Sequence, residues 1–136
     1  MGPSPEPGGG SAGCKNLLMA PRPGYHSVTP RIVVGDVAAQ AEFLRRAFHA
    51  TGELNRSGPT EMRVGDSLIM VSEASERAAF PSFLYVYVDD AEAAYARAMR
   101  AGATSLEDPR DTPYGDRRAM VRDPWGNVFQ IAHPVS

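Results

Sequence analysis

A chain of 136 residues with 43% hydrophobic and 22% charged side chains is sized for one globular domain, which excludes a disordered, collagen-like or disulfide-scaffold chain as a whole. Fourteen basic against sixteen acidic residues leave a formal charge of −2, so no net field argues for nucleic acid or a membrane surface as partner. The one cysteine, Cys14, has no mate for an internal disulfide, and no apolar run reaches the roughly 20 residues that cross a bilayer.

Residues 1–27 read as an N-terminal tail, disordered or docked on a partner. Pro, Gly and Ser crowd the stretch from Gly2 to Gly24, a composition that cannot bury enough surface to order itself. Leu17-Leu18-Met19 is its apolar patch, suited to docking on the body or on a second subunit. Cys14 sits there with no neighbouring base and reads as an incidental thiol. Met1 to Pro7 lacks the basic n-region and apolar core of a secretory signal, so the expected location is the cytoplasm.

Residues 28–134 read as the folded part, in two modules of about 28–73 and 82–134. Thr29 to Val34 is short and β-branched and stops at Gly35-Asp36, a strand end followed by a helix cap. Val37, Ala41, Leu44 and Phe48 then recur at helical spacing, with Glu42, Arg45 and Arg46 on the other face. Three short strands are predicted next, at Glu53–Ser57, Thr60–Val64 and Ser67–Ser72, with Gly58-Pro59 and Gly65-Asp66 as turns. The cycle then repeats. Phe83 to Val88 is an aromatic, β-branched strand. Asp89 caps a helix with Glu92 three residues on, Ala91, Ala94, Tyr95, Ala98 and Ala101 form its stripe, and Gly102 stops it. Strands follow around Thr104–Leu106, Arg117–Arg122 and Val128–Ala132. The order strand–Asp–helix–strands in both halves points to duplication.

Alternation in the strands sorts side chains onto two faces. Leu84, Val86 and Val88, with Ile32 and Val34, make an aliphatic face for the helices. Thr29, Arg31 and Val33, with Phe83, Tyr85 and Tyr87, make the other. Rings, a guanidinium and a hydroxyl suit a partly polar pocket, and they equally suit a solvent-facing sheet. Asp116-Arg117-Arg118 with Arg122 fits either an anion site or a charged turn. Trp125 fits a pocket wall, a dimer contact or core packing. His49 suits a helix C-terminus, and His26 and His133 lie at strand ends; pairing His133 with Glu73 in a displaced metal site is the remote alternative. A phosphate loop, a Ser-His-Asp order and a CxxC pair are all lacking.

Val28 to Phe48, Tyr85 to Gly102, and the closing Asp123-Pro124-Trp125-Gly126-Asn127-Val128-Phe129-Gln130 together resemble the glyoxalase, bleomycin-resistance and extradiol dioxygenase group, the vicinal oxygen chelate superfamily. Thr29-Pro30 through Val34, with Tyr114-Gly115-Asp116-Arg117, resembles its PhnB-like branch. The resemblance implies an α+β fold of two βαβββ modules in a half-open curved sheet, and a homodimer. It also implies a divalent metal held by His and Glu from the first and last strands of each module, which polarises substrate oxygens. Carried over, the ligand positions fall on Thr29, Phe83, Gln130 and either Ile69 or Met70. None is an imidazole, carboxylate or thiolate, so neither metal nor other cofactor is expected.

The leading expectation is therefore a metal-free protein binding an organic small molecule, for sequestration of a drug or metabolite. Its expected ligand contacts are Thr29, Arg31, Met70, Phe83, Tyr85, Tyr87, Arg118, Trp125 and Gln130, with no catalytic residue assigned. The alternative is a lyase, isomerase or dioxygenase-type enzyme using a relocated metal, or acid/base chemistry through Tyr85, Tyr87 and Arg31.

Overall fold

The computed structural model describes residues 21–75 and 78–135. Most of the expected tail, with Cys14 and Leu17-Leu18-Met19, lies outside the described residues. The elements run β1 (Arg31–Val34), α1 (Val37–Phe48), β2 (Thr60–Val64), β3 (Ser67–Glu73), β4 (Phe83–Tyr87), α2 (Ala91–Arg100), β5 (Thr104–Asp111), β6 (Asp116–Arg122) and β7 (Val128–Pro134). They form an α+β fold with one sheet in the order β1-β3-β2 and a second in the order β4-β7-β6-β5. In each sheet the module's first strand runs parallel to its last, and the other pairs are antiparallel. The repeated wiring is the duplicated plan expected from the sequence.

One expected strand is absent. Glu53–Ser57 does not pair; the first module keeps only the Thr51–Arg63 bridge, with N–H···O distances of 3.0 and 2.7 Å. Two local features divert the chain. Gly52 takes φ +147, where a Cβ would stand 2.3 Å from the Glu61 carbonyl oxygen. Beyond it the Asn55 side chain accepts from Ser57 N–H, and Asn55 N–H donates to the Thr60 hydroxyl, local bonds that compete with a ladder. Elsewhere β1 starts two residues later than expected and β5 extends to Asp111.

Asp36 caps α1, its carboxylate accepting from Ala39 N–H at 3.0 Å. Asp90, not Asp89, caps α2, accepting from Glu92 and Ala93 N–H. His49 serves the end of α1 through its backbone, in the left-handed conformation (φ 58) with its N–H on the Arg45 carbonyl. The two helices pack against each other and against their sheets. Met62, Ile69 and Val71 meet α1, Ile32 and Val34 join the same core, Val121 and Ile131 lie against α2, and Phe129 joins Phe43 and Phe48 of α1 at ring distances of 6.0 and 5.3 Å. Val33, expected on the open face, is buried because Phe80 pairs along the β1 edge beside it.

A buried polar ring ties the modules together. Gln40 of α1 donates to Asp123 Oδ2 at 3.0 Å, and Asn127 Nδ2 donates to both Gln40 Oε1 and Asp123 Oδ2 at 3.0 Å. Asp123 Oδ1 accepts from the backbone N–H groups of Trp125 and Asn127, and Asn127 Oδ1 accepts from Ser82 N–H. The closing turn of the second module is thereby locked to the first helix and to the start of β4. Every side-chain donor in the ring has an acceptor, as low-dielectric burial demands.

Candidate functional site

Pairing register explains which side chains share the open face of the second sheet. Tyr85 of β4 lies opposite Gln130 of β7, itself opposite Met120 of β6. One rung on, Tyr87 lies opposite Ala132, and Ala132 opposite Arg118. The small Ala132 leaves room for the long side chains on either side to converge. Phe83 and Tyr87 remain 66% and 60% exposed, so nothing among the described residues covers this face.

The converging groups form a connected network. Tyr85 and Tyr87, with ring centroids 5.3 Å apart, both donate to Asp116 Oδ2, at 2.6 and 2.9 Å. Asp116 is only 5% exposed, and its backbone N–H is held by the Thr112 hydroxyl. The Tyr85 and Tyr114 hydroxyls stand 3.2 Å apart. Arg118 donates to the Tyr114 oxygen at 2.9 Å and to Glu107 at 2.8 Å, while Glu107 also pairs with Arg110.

The electrostatics divide the three phenols. Burial first, then donation to Asp116, pushes Tyr85 far above the ordinary value of 10. The hydrogen bond to Asp116 raises Tyr87. Tyr114 moves the opposite way, lowered first by its hydrogen bond with Tyr85, opposed next by desolvation, and lowered further by Arg118. For Tyr87 and Tyr114 the leading cause is whether the phenol's partner favours its proton or its anion, and for Tyr85 it is desolvation.

Of the expected contacts, Tyr85, Tyr87, Arg118 and Gln130 are brought onto one face, with Phe83 at its edge. Arg31 and Met70 pair with each other on the first sheet instead. Arg31 donates to the Ser72 hydroxyl at 2.8 Å and borders a cavity of about 550 Å³ shared with Asp36, Leu54, Arg56 and Glu73. Thr29 precedes β1 and is half-buried. Trp125 sits in the closing turn, edge-on to Phe43 at 6.2 Å and packed on the core, the core-packing alternative among its three readings. Arg117 turns to the helix side and pairs with Glu92 and Asp111, so the basic run does not act as one anion patch. His133 Nδ1 accepts from Ala91 N–H at 2.8 Å and so caps the start of α2.

Asp116, Tyr114 and Glu107 were not among the expected contacts. Alternation does place Asp116 on the Arg118 face, two residues earlier in the same strand. Tyr114 lies in a turn, where periodicity gives no direction, and Glu107 follows a register shift in β5.

The positions that hold a metal in the resembled family do not fit one here. Thr29 and Gln130 are weak neutral donors, the fourth position is either Met70, a thioether, or Ile69, which offers nothing, and Phe83 offers nothing. Among the described residues no group of three or more His, Cys, Asp or Glu side chains is placed to hold an ion.

Residues 24–131 match the Glyoxalase/Bleomycin resistance protein/Dioxygenase superfamily. The uncharacterized protein Rv0887c of Mycobacterium tuberculosis is 28% identical over 128 residues, covering 80% of this chain and 75% of its own. Among solved structures, TioX from Micromonospora sp. ML1 superposes with a TM-score of 0.68 at 20% identity, over 82% of this chain and 98% of that one. A glyoxalase/bleomycin resistance protein/dioxygenase family enzyme from Burkholderia phytofirmans PsJN gives 0.65 at 25% identity, over 76% and 94%. The match across most of the chain, together with the paired modules described above, makes this protein a member of the Glyoxalase/Bleomycin resistance protein/Dioxygenase superfamily.

Proposed function

We propose that this chain is a metal-free member of its superfamily, in the PhnB-like branch, that binds an organic small molecule as a cytoplasmic homodimer. The observation that carries the reading is the open face of the second sheet. There Phe83, Tyr85 and Tyr87 offer aromatic area beside a held guanidinium, Arg118, and a neutral amide, Gln130. Aromatic walls with a few fixed polar groups are the usual make-up of a small-molecule site. The unsuitability of Thr29, Met70, Phe83 and Gln130 as ligands favours sequestration over the metal chemistry of the superfamily. A second copy laid over the exposed rings would turn an open face into an enclosed one, and sedimentation velocity tests that assembly.

The direct test is a thermal-shift screen against aromatic and glycopeptide natural products. A ligand at a hundred times its Kd stabilises by about 2.7 kcal/mol, and Tyr87→Ala weakens binding about tenfold. A panel with no stabilising member refutes the reading. The acid/base enzyme alternative is favoured by one observation, the gathering of the Tyr85, Tyr87 and Tyr114 hydroxyls around Asp116 and Arg118.

A further inference from the structure

The network on the second sheet contains more proton-bearing groups than ligand binding requires, and their protons can be counted. Tyr85 and Tyr87 each have one hydroxyl proton, and both point to Asp116 Oδ2. Tyr114 accepts from Arg118 through one lone pair, and its ring is 61% exposed at the mouth of the face. If Tyr114 gives up its proton, the resulting anion already has a guanidinium donor. Tyr85 can then turn its O–H from Asp116 across the 3.2 Å gap, because Tyr87 continues to serve the carboxylate. Tyr114 is thus the phenol here whose ionised form has two donors waiting and open access to a ligand. The acid/base reading through Tyr85, Tyr87 and Arg31 is thereby revised: both of its phenols donate to Asp116 Oδ2, and Arg31 is on the other sheet.

We propose that Tyr114 exchanges a proton with the bound molecule, with Arg118 and Tyr85 as its positioning residues, and that the ligand class is one carrying an acidic hydroxyl such as a phenol or enol. Tyr114 in its anionic form takes the hydroxyl proton. The ligand O–H bond breaks with its electron pair left on the ligand oxygen, and a Tyr114 O–H bond forms from a phenolate lone pair. Arg118 keeps its protons throughout, since a guanidinium does not deprotonate in this range. The charged and titratable groups facing Tyr114 are Tyr85 and Tyr87 of β4, Asp116 and Arg118 of β6, and Glu107 and Arg110 of β5. The proposal rests on the ligand-binding reading for its substrate, though its test on the free protein does not.

Ring-carbon NMR of tyrosine-labelled protein resolves the five tyrosines, assigned by single Phe variants. The resonance lost in Tyr114→Phe should titrate first, below 10, and move up in Arg118→Met, while those of Tyr85 and Tyr87 stay protonated past 10. A first-titrating resonance that survives in Tyr114→Phe overturns the proposal. For compounds that bind in the thermal-shift screen, the ultraviolet absorption of the ligand's ionised oxygen reports where the proton sits. Wild type should bind phenolic or enolic ligands with their anionic band and Tyr114→Phe without it, while Tyr25→Phe, whose hydroxyl bonds Glu61 of β2, keeps the band. The same ligand band in wild type and Tyr114→Phe also overturns the proposal. A screen without binders refutes the binding reading alone, and the titration still decides the role of Tyr114.

Discussion

Replacing Asp123 by Asn keeps the shape of the buried ring and breaks its donor–acceptor logic. Gln40 Nε2 and Asn127 Nδ2 both donate to Asp123 Oδ2, and Oδ1 is occupied by two backbone N–H groups. An asparagine must present its own NH2 to two existing donors. Flipping the Gln40 amide satisfies the new NH2 but then aims Gln40 Nε2 at Asn127 Nδ2, so one donor is left over in every arrangement. A buried unsatisfied donor costs about 1–3 kcal/mol, and hydrogen bonds to a charged acceptor lose roughly half their worth when the charge goes. The sum is about 3 kcal/mol, or roughly 12 °C in Tm for a domain of this size. Circular dichroism melts give the number, with Trp125, the sole tryptophan, reporting on the same turn by fluorescence. Combining Asp123→Asn with Gln40→Glu restores an acceptor for both amides, and about half of the loss should return in a double-mutant cycle. A fall of less than about 2 °C in Asp123→Asn, or no recovery in the double variant, refutes the ring's role in joining the modules.

Other consequences follow from local geometry. Gly52→Ala forces a Cβ to within 2.3 Å of the Glu61 carbonyl oxygen at φ +147, and should cost at least about 2 kcal/mol in urea unfolding. Phe129→Ala empties a fully buried position against Phe43 and Phe48 and should cost about 3–5 kcal/mol by the same measurement. Tyr85 and Tyr87 hold their protons above the ordinary value of 10. Unfolded tyrosines therefore lose protons first, and stability present below pH 10 falls as pH rises beyond it. Melting temperatures of Tyr85→Phe and Tyr87→Phe should decline less steeply in that range than wild type; equal slopes would contradict the bonds to Asp116.

Periodicity carried most of the fold because it is a property of neighbouring residues. The alternation of Phe83 to Val88 assigned Leu84 and Val86 to the core and Tyr85 and Tyr87 to the open face, as found. The spacing of Val37, Ala41, Leu44 and Phe48 placed α1, yet it passed over Gln40 and Phe43, both buried. Gln40 reads as a polar surface residue until Asp123 and Asn127, more than eighty positions away, arrive as its partners. The missing strand at Glu53–Ser57 failed for a related reason, since Gly52 and the Asn55 bonds depend on the approach of Glu61 and Thr60. At the site, strand residues were legible by face and turn residues were not. Tyr114 acquires its meaning only when the chain folds it over Tyr85 and Arg118.

The central claim is that Thr29, Met70, Phe83 and Gln130 hold no ion and that the aromatic face acts without one. Elemental analysis of full-length protein purified without chelators is the measurement that bears on it most directly. The account predicts divalent metal well below one ion per chain. A stoichiometric ion that is lost in Gln130→Ala would contradict it.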